Sequence, residues 1–330
     1  MQQWSWLPIS VVAGVAATLA TPYLMRLLGS LFRGVSGPRK ANQVYGLSHR
    51  LLNLQVDRID TWLNMGLWTD GIVAFPAACR NLAQTVVAGC IEPGNRIVDF
   101  GCGCGDQLLL WATLQPNLHS VAAVTAEPAQ ARIAQLRVLR ANLAQKIHVH
   151  SGDALDPTTW QPLYPEPVAD ILLNSIDTVI SIDACYHFDT RVQFFDLAHT
   201  ILKPRGRLCV SDILLGPNFE ATGDASAIDW FWLRLFCSMS GVPLVNLCSL
   251  EKYRASLLDT GFTDIKIQDV TSDVFPGLRD FTARQGKDLD GLVDPWVWMQ
   301  YGWGMSQFLD WFHTKKVLRF VIVRAMKPDE

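Results

Sequence analysis

The residues with the clearest chemical potential form a glycine-rich turn between a short apolar segment and a helix-forming one. The run Gly101-Cys102-Gly103-Cys104-Gly105 follows directly on Arg96–Phe100. Glycines let the backbone turn sharply and let a ligand approach it without a Cβ in the way, and a helix beginning near Asp106 offers backbone N–H groups. The spacing differs from the Gly-x-Gly-x-x-Gly of dinucleotide sites and from a Gly-Lys-Ser/Thr phosphate loop. The turn therefore predicts another kind of ligand, and a tight turn that binds nothing is the alternative.

A second set of residues has the chemistry to move a proton. His187 follows the fourth predicted strand, and an imidazole is suited to accept a proton near pH 7. Asp183 lies four residues earlier and Asp212 lies in the fifth predicted strand, so either carboxylate could orient the imidazole and stabilise its cation. The three residues are the candidate catalytic groups. The alternatives are that His187 caps the next helix or packs against a ligand, and that the two acids are structural.

Seven apolar segments predict the strands that must position these residues. They alternate with helix-forming stretches such as Gln130–Gln145 and Arg191–Leu202. The early segments lack polar alternation, which suits strands buried on both faces. Repeated strand–helix units imply a parallel sheet covered by helices on both sides, with ligands at the carboxyl ends of the strands. The predicted strands are Arg96–Phe100, Ser120–Thr125, Ile147–His150, Asp177–Ile182, Gly206–Leu214, Asp264–Val270 and Arg319–Met326.

Three motifs, in this order, resemble those of a known family. Ile97–Gly105 resembles the first motif, Val-Leu-Asp-x-Gly-x-Gly-x-Gly, of the class I S-adenosylmethionine (SAM)-dependent methyltransferases. Val124–Gln130 is similar to the Val-Thr-Leu-Ser-x-x-Gln element of the cyclopropane-synthase, sterol and tocopherol branch. Leu202–Leu208 is similar to the Leu-Lys-Pro-Gly-Gly turn before the fifth strand. The resemblance implies a Rossmann-like α/β fold with a mainly parallel seven-stranded sheet, and SAM as the cofactor.

The resemblance also implies which residues hold the cofactor. In that branch the ribose is held by the Thr and Gln region of the second motif, here Thr125 and Gln130. Glu127 departs from the branch pattern and is the alternative acceptor for the ribose hydroxyls. Asp153, with Ala154 beside it, stands where the family's acid accepts from the adenine amino group, and a helix N-cap is the other interpretation. The first motif supplies the remaining contacts, from Asp99, Gly101, Gly103 and Gly105.

Two further residues are expected to contact the cofactor, one of them at its methionine end. Trp62–Trp68 resembles a Leu-Asn-x-Gly-Tyr-Trp segment of related small-molecule methyltransferases, whose aromatic residue packs near that end. An aromatic face attracts a sulfonium through its quadrupole, so Trp68 is a candidate cofactor contact, and ordinary core packing is the alternative. Asp183 is counted with the cofactor site as well as with the catalytic groups.

The segment after the fourth predicted strand indicates what kind of molecule accepts the methyl group. It reads Ile182–Phe188, without the Asn/Asp-Pro-Pro-Tyr motif that holds planar amino groups in many nucleic-acid and protein methyltransferases. A small-molecule acceptor is therefore expected.

Residues 216–262 interrupt the alternation of strands and helices and form a lid in similar enzymes, and the lid is rich in apolar side chains. A second aromatic cluster either lines a lipophilic pocket, dips into a bilayer or packs in the core; it comprises Trp296, Trp298, Tyr301, Trp303 and Trp311.

These features predict O- or C-methylation of a small lipophilic acceptor of secondary or lipid metabolism, such as a terpenoid, sterol, prenylquinone or polyketide. An N-methyltransferase of a phosphobase or lipid head group is the alternative, because the Asp-x-x-x-His spacing resembles that of phosphoethanolamine methyltransferases. A third hypothesis is an inactive SAM-fold partner protein in a membrane complex.

The N-terminus predicts a single membrane anchor over residues 1–34. Leu7 to Met25 carries no charged side chain, and 19 helical residues span about 28 Å, close to the bilayer's hydrocarbon core. The basic residues that follow place the catalytic domain in the cytosol, at the endoplasmic reticulum in a eukaryote. A signal peptide and a buried or interfacial helix are the alternatives. Residues 35–90 are expected to form a helical cap, and residues 91–330 the catalytic domain.

The net charge and the cysteine spacing indicate which partners are not expected. The net charge is −3 over 330 residues, and no basic stripe with interleaved aromatics occurs, so nucleic acid is not an expected partner. The eight cysteines are scattered without zinc-site spacing, so no metal is expected. The oligomeric state is not indicated.

Overall fold

The fold is known from a computed structural model that describes residues 60–162, 174–220, 224–288, 302 and 304–329. The predicted anchor, residues 35–59 of the predicted cap, and four of the five clustered aromatics (Trp296, Trp298, Tyr301 and Trp303) lie outside the described residues. None of the helices in the described part combines the length and apolar character that a bilayer crossing needs.

The described part of the chain is built on a single sheet of order β4-β3-β2-β1-β5-β6-β8-β7. The five neighbouring strands β3, β2, β1, β5 and β6 pair in parallel, whereas β8 runs antiparallel to both β6 and β7. All seven predicted strands are confirmed to within a few residues. The strands are β1 (Arg96–Phe100), β2 (Ser120–Thr125), β3 (Ile147–Ser151), β4 (Gln161–Pro162), β5 (Ile176–Ile182), β6 (Leu202–Leu215), β7 (Thr263–Asp269) and β8 (Leu318–Met326).

An eighth strand, β4, lies at the edge of the sheet in addition to the seven predicted strands. It has two residues and pairs antiparallel with the end of β3. The buried Trp160 folds the chain back, because its Nε1–H donates to the Asp153 carbonyl at 2.5 Å. Pro162 is tolerated there because β4 is an edge strand. Such a short strand leaves no apolar pattern in the sequence.

Helices cover both faces of the sheet, as predicted. One core cluster joins the sheet to α1, α2, α3, α5, α7 and α8, and a second joins the opposite face to α4 and α6. Strand β1 after Arg96 and strand β6 from Leu208 onward are buried, which explains why their side chains are mostly apolar. The helices are α1 (Phe75–Val86), α2 (Asp106–Leu114), α3 (Pro128–Arg140), α4 (Arg191–Ile201), α5 (Ala227–Ser240), α6 (Leu250–Thr260), α7 (Thr271–Asp288) and α8 (Gly304–Thr314).

An extended segment precedes α1. Residues 60–68, which we call the strap, contain neither helix nor strand. The strap lies at the carboxyl edge of the sheet, where Thr61 contacts the start of α2 and Met65 contacts the residue after β5. Within its described part, the predicted helical cap therefore consists of the strap, a short connection and α1.

Candidate functional site at the carboxyl edge of the sheet

The glycine turn is shaped by close contacts that leave no room for side chains. Gly101 has a φ of +85°, and a Cβ on it would lie 2.4 Å from the Cβ of Ala184, in the turn after β5. Gly105 has a φ of +86°, and a Cβ on it would lie 2.8 Å from the Cβ of Ala134 in α3. Backbone N–H groups of Gly101 and Cys102 donate to the Val124 carbonyl at 2.8 and 3.1 Å. The glycine positions therefore pack the loop against β2, α3 and the turn after β5.

The strap covers the middle of this loop. A Cβ on Gly103 would lie 2.9 Å from Cδ1 of Leu63. The strap is held there by Asp106, which accepts from the Thr61 hydroxyl at 2.7 Å and forms a two-pronged ion pair with Arg137 at 2.5 and 2.6 Å. The sequence did not predict this junction, because its only local signal is an acid in the first turn of a helix.

Asp99 lies inside the protein. Its two oxygens accept from the Gln107 amide at 2.7 and 2.9 Å and from the Trp111 indole at 2.7 Å. Burial raises the pKa of Asp99 to about 6, although the hydrogen bonds from Gln107 and Trp111 act in the opposite direction and lower it. The expected direct contact with a cofactor is thus replaced by a supporting role, because both oxygens tie α2 to the end of β1.

The residues that are predicted to hold the ribose lie at and just after the end of β2. The Thr125 hydroxyl donates to Oε1 of Gln130 at 3.0 Å, and both side chains are buried. Glu127 is half-buried and caps α3, where Oε1 accepts from the Ala129 N–H at 3.3 Å. Of the three residues, Glu127 is the one that presents a carboxylate at the strand end. This placement favours Glu127 over the Thr–Gln pair as the acceptor for two neighbouring hydroxyls.

Asp153 follows β3 on the same edge. The Gly152 N–H donates to the Thr125 carbonyl at 3.1 Å, which brings the ends of β2 and β3 together. The Asp153 side chain is exposed, and its Oδ1 accepts from the Leu155 N–H at 2.8 Å, while the neighbouring Ala154 is buried. The carboxylate thus closes a local turn and remains at the surface of the site, where it can accept from an amino group.

Asp183 joins the strap to the turn after β5. Its oxygens accept from the Met65 N–H at 2.7 Å and from the Tyr186 hydroxyl at 2.8 Å, and its own N–H donates to the Ser211 hydroxyl at 2.9 Å. Burial raises the pKa of Asp183 to about 7. The carboxylate therefore changes charge near neutral pH at a point that links two walls of the site.

His187 ends the 3-10 turn Cys185–His187 at the same edge. Its N–H donates to the carbonyl of Ala184, the residue that contacts the glycine loop, at 3.0 Å. The half-buried imidazole lies against the Tyr186 ring, with the ring centroids 4.2 Å apart. The structure thus places His187 and Asp183 in one turn beside the glycine loop, and the role of Asp183 toward the imidazole stays a prediction.

Asp212 does not belong to this turn, which corrects the expectation that it acts on His187. Successive side chains of a strand point to opposite faces of the sheet. Ser211 meets Asp183, so Asp212 faces the second core, where it lies 3.0 Å from the guanidinium of Arg191. Its other oxygen accepts from the Ile213 N–H at 2.8 Å. Asp212 is therefore the fully buried counter-ion of an arginine.

Trp68 packs on α7, as its alternative interpretation predicted. Its indole N–H donates to the Met65 carbonyl at 2.9 Å, and its ring centroid lies 5.4 Å from that of Phe281. A Cβ on Gly277 would lie 2.2 Å from the indole Cγ, so the ring is pressed onto the helix. The ring is half-buried, so one side packs on α7, and the contact with a sulfonium stays a prediction for the side that does not.

The predicted lid divides into two parts. Helix α6 is an ordinary member of the second core, with Tyr253 and Leu257 buried. Helix α5 belongs to the first core through the buried Leu233 and Cys237, and its Phe236 lies 4.8 Å from Phe312 of α8 between ring centroids. Phe231 of the same helix is 59% exposed. Trp311, the described member of the predicted aromatic cluster, packs against the first core.

The comparisons with known proteins agree with this geometry. The model of a methyltransferase domain family matches residues 91–232. The erythromycin 3''-O-methyltransferase of Saccharopolyspora erythraea is 27% identical over 270 residues, which cover 81% of this chain and 84% of the relative. The 27-O-demethylrifamycin SV methyltransferase of Amycolatopsis mediterranei is 25% identical over 81% of this chain and 90% of its own length. The cyclopropane synthase MmaA2 from Mycobacterium tuberculosis has the same fold, with a TM-score of 0.67 at 18% identity over 89% of this chain and all of its own.

Proposed function

We propose that this chain, a SAM-dependent methyltransferase with the class I fold, methylates a hydroxyl oxygen of a lipophilic, polyketide-like small molecule. The observation that carries the proposal is the placement of His187 in a turn that touches the glycine loop through Ala184. A proton acceptor beside the cofactor loop is what O-methylation needs, because an alcohol must lose its proton to become a good nucleophile. The names of the two relatives described above, both O-methyltransferases of polyketide-type molecules, support this acceptor class.

The residues present fit the cofactor. The glycine loop lies at the carboxyl end of β1, where sheets of this kind bind their ligands, Glu127 suits the ribose hydroxyls, and Asp153 suits the adenine amino group. When bound, SAM supplies a methyl group on a positively charged sulfur. The protein then aligns the acceptor oxygen with that methyl group, and His187 takes the hydroxyl proton. Helix α5 and its aromatic contacts would shield the acceptor from water.

The test is turnover of methyl-labelled SAM with a panel of acceptors, followed by mass spectrometry. The panel contains 27-O-demethylrifamycin SV, an erythromycin with a free 3''-hydroxyl, a sterol, a prenylquinol and phosphoethanolamine. We expect label on an oxygen of a polyketide. Label on a carbon would favour the C-methylating hypothesis. Label on phosphoethanolamine would replace the proposal with N-methylation, to which a 24% identical phosphoethanolamine N-methyltransferase of Arabidopsis thaliana also points.

The charge of Asp183 predicts a pH dependence of cofactor binding. A nearby sulfonium cation lowers the pKa of a carboxylate, so binding SAM to the protonated form must release a proton. With the free-protein pKa about 7, the SAM affinity should rise as pH increases from 6 to 8 and then level off. The expected gain is up to about tenfold, because the ionised fraction of a carboxyl with a pKa of about 7 rises from about one tenth at pH 6 to about nine tenths at pH 8.

Two controls isolate the sulfonium charge. S-adenosylhomocysteine lacks that charge, so its calorimetric affinity should not show the same rise. Asp183→Asn mimics the protonated carboxyl and should make the SAM affinity flat over this range. An equal pH dependence for both ligands, or its persistence in the Asn variant, would contradict the assignment.

We also propose that Leu7 to Met25 anchors the chain in a membrane with the catalytic domain on the cytosolic side. The proposal rests on the uncharged run and the basic residues after it. Full-length protein should sediment with membranes, and Val15→Arg should shift it to the supernatant, because a cation at the bilayer centre costs about 3 kcal/mol. Full-length protein that stays in the supernatant without detergent would contradict the anchor.

A further inference from the structure

One side chain outside the turn holds the backbone on both sides of His187. Asn246 ends the 3-10 turn Leu244–Asn246, between α5 and α6, and is 3% exposed. Its amide nitrogen donates to the carbonyls of Tyr186 and Phe188 at 3.0 and 2.6 Å. These carbonyls belong to the residues directly before and after His187. A single amide group therefore fixes the peptide units that carry the imidazole.

The same amide also fixes the start of the next helix. Its Oδ1 accepts from the Arg191 N–H at 3.0 Å, in the first turn of α4. Asn246 thus uses two donors and an acceptor on backbone groups of one short segment, residues 186–191. No carboxylate or hydroxyl offers the same set, since only an amide combines an N–H₂ group with a carbonyl.

Arg191 locks Asn246 to the sheet. Its guanidinium donates to the Asn246 carbonyl and the Ile213 carbonyl, pairs with Asp212 and lies 4.6 Å above the Tyr253 ring. Although burial lowers the pKa of Arg191, the Asp212 carboxylate raises it above its usual value, so the cation persists. This explains why an ion pair occurs in the core: it joins β6, α4 and the 244–246 turn into one unit.

We propose that Asn246 is a positioning residue for His187, and that it couples the lid segment after α5 to the placement of the imidazole. This inference rests on the proposed role of His187 in proton transfer. Displacement of the 244–246 turn would move the carbonyls of Tyr186 and Phe188 and with them the imidazole. A catalytic group that is misplaced by about 1 Å costs on the order of 100-fold in rate.

The experiment compares Asn246→Ala and the milder Asn246→Ser with a matched amide variant. Asn218→Ala is the control, because the Asn218 amide also donates to a backbone carbonyl, that of Lys315, at 2.8 Å, but on the surface. The first readout is ¹³C-histidine NMR of full-length protein with S-adenosylhomocysteine, with the His187 signal assigned by its loss in His187→Ala. We expect both Asn246 variants to shift this signal and its titration midpoint, and the control to leave them unchanged.

The second readout is a double-mutant cycle on turnover. Asn246→Ala should lower kcat by about 10- to 100-fold, with an unchanged Kd for SAM, and it should have no further effect when His187 is already alanine. An unchanged His187 signal, or an equal loss of kcat in both backgrounds, would overturn the inference. Turnover of His187→Ala at the wild-type rate would instead overturn the proposed function. The NMR comparison would still test whether Asn246 holds His187 in place, because it does not depend on turnover.

Discussion

Replacement of Gly101 by alanine is expected to lower the affinity for SAM by at least about 100-fold and to destabilise the protein. An L-residue at a φ of +85° costs about 1–2 kcal/mol. The added methyl group would also lie 2.4 Å from the Cβ of Ala184, so either the loop or the turn after β5 must move. Overpacking of this kind adds about 1–3 kcal/mol. Calorimetry with SAM and thermal unfolding measure the two effects.

Gly71 provides the matched control for this variant. It has a φ of +73°, but a Cβ on it would have no atom within 4 Å. Gly71→Ala therefore has the same kind of backbone cost without the collision, and it should leave SAM binding near that of the unmodified protein. If both variants lose the same amount of SAM affinity, the contact between Gly101 and Ala184 does not shape the cofactor site.

Replacement of His187 by alanine is expected to lower kcat by about 10²- to 10⁴-fold, the range that general acid–base groups contribute. The affinity for SAM should stay within a few-fold, because the proposed role of His187 is toward the acceptor. The loss should be smaller for an acidic phenol than for an aliphatic alcohol, since a phenol that is already ionised does not need the base. Steady-state kinetics with both acceptor types measure this difference.

The control for His187 is His119→Ala, because His119 is exposed between α2 and β2. That variant should retain full turnover. If His187→Ala turns over at the wild-type rate with unchanged SAM affinity, His187 has no part in the reaction. A uniform loss with all acceptors and with SAM binding would instead indicate that the variant damages the turn.

Much of the fold could be predicted because its signals are local. The run Arg96–Phe100 carries three large apolar residues, Ile97, Val98 and Phe100, and a glycine-rich turn follows it, which identifies a buried strand and the loop after it. The remaining long strands carry similar runs. Strand β4 carries none, because two residues are too few for a pattern and its pairing depends on a tryptophan that bonds back to Asp153.

The candidate site could be predicted only where one segment supplies it. Asp183 and His187 lie four residues apart, so the sequence alone brings them to the same strand end. Asp212 shows the limit, since its register in β6 and the facing Arg191 decide that it points away from the site. The packing of Trp68 shows a similar limit, because the absence of a Cβ at the distant Gly277 opens a place for its ring on α7.

The sequence by itself determined the order of the strands along the chain, the bend of the glycine loop and the edge at which the site forms. These properties follow from side-chain periodicity and from the backbone freedom of glycine, which act over a few residues. Only the tertiary structure decided that the strap meets Asp183 across 118 positions and that Asn246 holds the carbonyls beside His187 from 58 and 60 positions away. Such contacts arise when distant segments pack against each other, and no local pattern encodes which partner each polar group finds.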